Sequence, residues 1–414
     1  MKIDGSENIK YIIDTYPKSL DVFISNGFKY KTKEEFIDAV GENTMLKTVL
    51  KVKGINTELF LYYLETAIIE EEQEKKYILE DYNDGEQLDF YGNTICPLKF
   101  TFKDALEELE SEYFEKNGEK RKCYVEAGKN TNDSCGDLWS NPNLENFPGV
   151  VLSKEFNEYL GKDFREKTAN KEYFTTNFYS DINLNSKLKD AGLIDTEGMY
   201  TVYATMFDVF LIDDNHLKKM DIPETREDLL NPMYKDNIIL FGRDRSEMSN
   251  ATFLYIYKEF GMEGIKKLAN NVKHVMHGSQ MAKTAGSKRK EGAGIYIVSG
   301  FFAKTCIMPN TRVVLPKDGC MTLPMYMLVR KDMLEKERDI VDYVLSDNFS
   351  DACVKAYTPH INSSATNSFI EKAEFEWLGW DFIREHDIPV LAKECEEVFL
   401  KEWKRLHPKG VLFL

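Results

Sequence analysis

The stretch DIPETREDLLNPMYKDNIILFG, residues 221–242, decides how this chain is read. Punctuation comes first and a strand follows. After Pro223, Thr225 reads as the N-cap of a short helix and Asp228 as its third residue, a variant of the capping box. Asn231-Pro232 ends that helix, because proline has no N–H and pushes the residue before it out of the helical region. The apolar, β-branched run 237–241 then reads as a buried strand that stops at Gly242.

Outward from this stretch, strands alternate with helices, which indicates an α/β sheet. On the amino-terminal side, strands are expected at 88–92, 121–127 and 149–152, with an amphipathic helix at 102–115. The run YTVYATMFDVFLI at 200–212 is long and rich in strand formers. On the carboxyl-terminal side, a helix is expected from 249 and a strand at 294–298. A second long strand follows at 321–330, then helices at 335–345 and 348–356 and a helical tail over 370–414. Residues 1–70 carry a different pattern. Ile9, Ile12 and Ile13 recur at helical spacing, and a second helix at 19–25 ends at Asn26-Gly27. Thr32 caps a helix carrying Phe36, Ile37 and Val40, and Asn56 or Thr57 opens a last one. Residues 71–87 are acidic and polar, a solvated linker.

A chain of 414 residues has room for two or three domains, and 43% hydrophobic residues can fill their cores. The net charge of −16 argues against a non-specific nucleic-acid binder, which needs a basic face. No apolar run is long enough to span a membrane. The first residues lack the apolar core and cleavage site of a secretory signal. Seven cysteines are scattered without a CxxC pair, which suits free thiols in a reducing compartment. The expected location is therefore the cytoplasm, or the periplasm or extracellular space if a signal has been removed.

The order proline, Asp-Leu-Leu, proline, Tyr-Lys and strand at 221–242 resembles the second lobe of type 2 periplasmic substrate-binding proteins, the group serving ferric-iron, thiamine and phosphonate ABC importers. Lys317-Asp318-Gly319, a hydrophobic strand and Val-Asp-Tyr-Val-Leu-Ser at 341–346 match the tail of the same group. The resemblance implies a two-lobed clamshell preceded by a small all-α domain. Lobe 1 would hold about 88–205 and 320–414, and lobe 2 about 206–319, with the run at 200–212 as hinge. The segment IIDTYPKSLDVFISNGF resembles a small domain of unknown function that accompanies hybrid-cluster and iron–sulfur repair proteins. Those relatives carry a cysteine pair where this chain has Lys29, Tyr30 and Lys31, so only the fold and a docking role for a protein partner carry over.

In such folds ligands lie at the carboxyl ends of strands, against free N–H groups at helix starts. Four loops qualify. The loop after the first strand offers Asn93, Thr94 and Cys96, or is a capped turn over a buried cysteine. The loop after the second, rich in amides and hydroxyls, offers Asn130, Thr131 and Asn132, or only turn chemistry. After the strand at 237–241 come Arg243, Ser246 and Ser249, a plausible clamp for a carboxylate or phosphate, or a solvated arginine loop. The strand 294–298 leads to Ser299 and Gly300, beside Phe301 and Phe302. His274 and His277 lack a third ligand at metal-site spacing and read as structural. Ferric-binding members of the resembled group use adjacent tyrosines, whereas 356–360 reads Ala-Tyr-Thr-Pro-His with one.

The expectation is a non-catalytic protein that captures a small polar or anionic ligand between two lobes, without cofactor or metal. An ABC permease is a possible partner, and neither nucleic acid nor membrane insertion is expected. The alternatives are an enzyme on the same scaffold, with Cys96 as nucleophile and His277 as base, or ferric-ion binding.

Overall fold

The structure is a computed structural model. It describes residues 5–17, 19–25, 28, 30, 32–53, 55, 57, 60–61, 64, 68, 88–125, 139, 147–169, 173–176, 178–242, 248, 250–306 and 308–414. The chain divides into two compact units. One is Met1–Asp84 with Ala127–Asn130 and Thr305–Ile307; the other is Gly85–Glu126, Thr131–Lys304 and Met308–Leu414.

The first unit is helical, with helices Ile9–Thr15, Ser19–Ser25, Lys33–Val40 and Leu46–Lys53. Asn8 caps the first through two backbone N–H groups, and Thr32 caps the third through Glu35 N. Phe23, Phe28, Phe36 and Phe60 form a buried aromatic knot with ring centroids 4.8–5.4 Å apart. Tyr30, in the segment where the resembled domain has cysteines, packs edge-on against Phe36.

The second unit is built on a ten-stranded mixed sheet. Its strands are β1 (Phe90–Gly92), β2 (Cys123–Val125), β3 (Val150–Lys154), β4 (Thr201–Asp213), β5 (Ile238–Phe241), β6 (Val272–Met276), β7 (Ile295–Ser299), β8 (Thr311–Val314), β9 (Cys320–Val329) and β10 (Phe375–Glu376). The order is β2-β1-β3-β9-β4-β7-β5-β6, with β8 on β4 and β10 on β9. At one end β1 runs parallel to β2 and β3; at the other β5 runs parallel to β6 and β7. Two long antiparallel strands, β4 and β9, join these ends. The first part of β4 pairs with β9 and the last part with β7. Asp208 belongs to both ladders, opposite Met321 on one side and Ser299 on the other.

The stretch 221–242 folds largely as its punctuation dictates. The capping-box bonds form, since Asp228 Oδ2 accepts from Thr225 N (2.9 Å) and Thr225 Oγ1 accepts from Asp228 N (3.3 Å). What they cap is a 3-10 turn, Asp228–Leu230, not an α-helix. Asn231-Pro232 arrives before an i→i+4 ladder can start, and a second 3-10 turn, Pro232–Tyr234, follows. β5 then buries Ile238, Ile239 and Leu240 completely. Asn271 holds the corner by donating to the carbonyls of Leu229 and Asn231, both at 2.8 Å. Arg226 ties the turn to the rest of the unit. Its guanidinium donates to Glu259 Oε1 and to the Gly319 carbonyl, and its own N–H donates to Asp318 Oδ2. Arg226→Ala is therefore expected to lower stability by about 2–3 kcal/mol, since a buried charge network loses its centre while Glu259 and Asp318 keep some solvent. Urea denaturation checks this, and a loss under about 0.5 kcal/mol, typical of exposed pairs, contradicts it.

The carboxyl-terminal region departs from the expected all-helical tail. It contains helices Ser368–Lys372, Trp380–Glu385 and Ile388–Leu406, but also β10, which pairs with the start of β9. The final residues run along β6. Val275 N donates to Leu412 O (2.7 Å), Leu414 N donates to Val275 O (3.2 Å), and Val275 bridges Phe413. β6 and β8 were also not expected, because each is short and not strongly apolar.

Candidate functional site

A cavity of about 570 Å³ opens where the sheet's parallel strands end. β1 delivers Tyr91 and then Asn93, whose N–H donates to Leu152 O (3.0 Å). β3 delivers the wall 153–159. Asn250, first residue of helix Asn250–Asn271, stands on another side, and helix Ile388–Leu406 closes the space with Pro389, Lys393, Glu396 and Glu397. The β3 wall is held in place by a polar network. Asn157 donates to Ser153 Oγ (2.6 Å) and to Lys154 O, and accepts from Tyr326 Oη (2.7 Å). Between them Glu155 is turned into the left-handed region, φ +63°, and its N–H donates to Pro324 O (2.7 Å). A non-glycine residue in that conformation costs about 1 kcal/mol or more and persists where its surroundings over-determine it.

Charge around the cavity is mainly negative. Glu155, Glu158, Glu396 and Glu397 face two lysines, Lys154 and Lys393. Lys154 pairs with Glu155 at 3.2 Å. Burial, together with the Glu397 charge, raises the Glu396 carboxyl above its ordinary value. A second cavity, about 670 Å³, lies around Arg165, Asp195 and Arg384. Its cations are already engaged: Arg165 donates to three backbone carbonyls, and Arg384 pairs with Asp195 and Glu197. That arrangement is structural.

Of the residues singled out in the sequence, Asn93 lines the first cavity. Thr94 is buried next to it, beside Tyr203. Cys96 opens the helix Cys96–Asn117, and its side chain lies outside the described residues. So do Asn130, Thr131, Asn132, Arg243, Ser246 and Ser249. Ser299 ends β7, opposite Asp208. His274 and His277 share no helix face. His274 is in β6 with Nδ1 at 2.9 Å from Val411 O, and His277 caps helix Gly278–Thr284 with Nδ1 at 2.9 Å from Ser279 Oγ. The latter contact is a cap. His360 is locked in the interior, with Nε2 on Val344 O and Nδ1 accepting from Asn362 N, and burial lowers its pKa to about 4. Both ring nitrogens are thus occupied, which disfavours it as a ferric ligand. Among the described residues no group of three His, Cys, Asp or Glu side chains converges as a metal site would require.

Sequence reasoning missed Glu155, Glu396 and Glu397 as lining residues. The strand-end rule applied to β3 would have reached Glu155. Nothing local marks the two glutamates of the terminal helix, which read as a solvated face.

The fold is shared with solved binding proteins. Apo ferric ion-binding protein A of Pasteurella haemolytica superposes with a TM-score of 0.53 at 10% identity, covering 76% of this chain and 98% of that one. A Trichodesmium protein solved with iron and citrate gives 0.52 at 12% identity, over 76% and 99%. The periplasmic binding protein AfuA of Actinobacillus pleuropneumoniae, solved with fructose-6-phosphate, gives 0.50 at 13%, over 77% and 99%. The architecture is that of type 2 periplasmic binding proteins, with a helical region ahead of it. No curated protein matches the sequence. Residues 3–61 match a domain of unknown function, DUF1858. Among the described residues no helix is long and apolar enough to cross a membrane. Residues 145–386, more than half of the chain, match the model of the bacterial extracellular solute-binding proteins, and the chain belongs to that family.

Proposed function

We propose that this protein captures a small polar solute in the cavity at the ends of β1 and β3 and presents it to an ABC-type permease. The carrying observation is the wall itself: Asn93, the 153–159 segment, Asn250 and the terminal helix surround one space of about 570 Å³, a volume suited to a small ligand. In this reading a helical domain (1–70) and a connector (71–87) precede two lobes, about 88–205 with 320–414 and about 206–319. β4 crosses from one to the other and acts as the hinge. In this reading Asn93 contacts the solute, and Thr94, Cys96, Asn130, Thr131, Asn132, Arg243, Ser246, Ser249 and Ser299 are the further candidates for contact. The helical domain docks a separate protein partner. The family's description places its members outside the cell, in contrast to the cytoplasmic location expected from the cysteines and the first residues. Fractionation of the native host distinguishes the two.

A screen of small solutes by thermal shift tests the binding reading. A true ligand at a hundred times its Kd stabilises the native state by about 2.7 kcal/mol. Asn93→Trp, which fills the cavity from a half-buried position, is expected to abolish that shift while leaving the unliganded melting temperature within a few degrees. A ligand that stabilises Asn93→Trp as well as the wild type places the site elsewhere.

A further inference from the structure

The wall that follows β3 owes its shape to groups outside the cavity. Asn157 lines the space, yet its side-chain amide is saturated. Nδ2 donates to Ser153 Oγ (2.6 Å) and to Lys154 O (3.1 Å), while Oδ1 accepts from Tyr159 N (3.2 Å) and from Tyr326 Oη (2.7 Å). All four positions of the amide are used, so Asn157 frames the wall and has nothing left for a solute. Tyr326 comes from β9. Two residues before it, Pro324 O accepts the N–H of Glu155 (2.7 Å), the residue held at φ +63°. A third tie comes from Tyr200, the residue that leads into β4, whose hydroxyl donates to Tyr159 O (2.7 Å). The ties thus reach the wall at 155, 157 and 159. Both tyrosines are buried, with their rings edge-to-face at 5.4 Å, and Tyr200 stacks on Trp380 at 5.3 Å. Burial pushes the ionisation of both phenols up, so the hydroxyls stay donors.

These ties gather where the sheet is irregular. Opposite Met325 and Tyr326, the register of β4 shifts between Val202 and Ala204. Pro324 has no N–H to give to a ladder, and β3 ends its pairing with β9 at Met325. Regular strand pairing therefore does not fix the wall beyond Lys154, and the two hydroxyls and the Pro324 carbonyl do. A residue in the left-handed region, such as Glu155, relaxes once its surroundings loosen. A wall set before binding costs less ordering when a solute arrives. We propose that Tyr326 and Tyr200 are positioning residues for solute capture: their hydroxyls hold the 153–159 wall in its binding shape, one from β9 and one from the start of β4. Neither side chain lines that cavity. The assignment rests on the cleft reading above.

Hydrogen exchange and calorimetry on the full chain test it with Tyr326→Phe, Tyr200→Phe and, as control, Tyr234→Phe. The control loses a bond of the same length, Tyr234 Oη to Asp221 O (2.7 Å), away from the wall. Tyr326→Phe is expected to speed amide exchange over residues 155–160 about fivefold, the worth of one hydrogen bond, and to leave exchange elsewhere as it was. Each solute that shifts the wild type in the thermal-shift screen is then titrated into all four proteins. Tyr326→Phe and Tyr200→Phe are each expected to weaken its binding about fivefold, and the control is not. Unchanged exchange at 155–160 overturns the positioning role. So does an increase spread over the whole unit in step with lost urea stability, which marks a merely structural residue. A solute that is lost in Asn93→Trp but binds both wall variants as tightly as the wild type also overturns it, and leaves the cleft reading standing. A screen in which no solute depends on Asn93 removes the cleft reading, and the positioning role with it. Should Tyr326→Phe fail to fold, Tyr200→Phe carries the same two measurements.

Discussion

Arg121→Ala will destabilise the protein by about 3–5 kcal/mol, the cost of removing one partner from a buried charge cluster. Arg121 is fully buried and its guanidinium is fully used. Nε donates to Glu110 (2.7 Å), and the two Nη groups take Asp339 in a fork at 2.5 and 2.8 Å. Nη1 also reaches the Lys336 carbonyl at 2.9 Å, and the plane lies 4.2 Å from the Tyr113 ring centroid. Thus one side chain fastens helix Cys96–Asn117 and the start of β2 to helix Leu334–Val344. Lysine cannot reproduce the fork, so Arg121→Lys should recover less than half of the loss. Equilibrium urea unfolding of the three proteins decides it. A loss below about 1 kcal/mol for alanine would mean that the cluster acts as an exposed one does.

The same cluster predicts how stability varies with pH. Glu337 sits 3.6 Å from Arg121 with no exposure, and neither carboxyl oxygen accepts a hydrogen bond. Burial pushes its ionisation from 4.5 up to about 8, against the pull of Arg121. Asp89 and Asp339 add to the rise, and Lys336 opposes it. In the unfolded chain Glu337 loses its proton near 4.5, while the folded chain keeps it until about 8. The folded state therefore binds more protons across that window, and stability from this group falls as pH rises from about 4.5 to 8. It is fully present below the unfolded value and gone above the folded one. The size is of the order of a few kcal/mol. Glu337→Gln keeps the shape and removes the titration. Its stability should be flatter between pH 5 and 8 and should exceed that of the wild type at pH 8. Parallel slopes for the two proteins over that range would rule out Glu337 as the source.

Much of the architecture was legible because its signals are local. Pro223, the Thr225–Asp228 box and Asn231-Pro232 are adjacent in sequence and fix the entry to β5. The run at 200–212 is long and apolar enough to be read as β4. Other elements were hidden for equally physical reasons. The short helix expected after Thr225 is only a 3-10 turn, Asp228–Leu230, because proline follows too soon for an i→i+4 ladder. β6 is a five-residue strand interrupted by Lys273 and His274, and β10 exists only through its pairing with β9. The cavity was legible at Asn93, which lies directly after a strand. Glu396 and Glu397 were not, because a glutamate pair on an amphipathic helix looks the same in sequence whether it faces water or a binding space. Asp208 sits in an otherwise apolar run, and its place in two ladders, opposite Met321 and Ser299, shows only in the register.

The last four residues lie along β6, the outermost strand on that side of the sheet order. An outermost strand exposes a row of unused N–H and C=O groups on which another copy can polymerise. Val275 offers its amide and carbonyl to Leu412 and Leu414, so part of that row is already taken from within the chain. Displacing residues 411–414 would free those groups of β6 as a template for aggregation without touching the cavity.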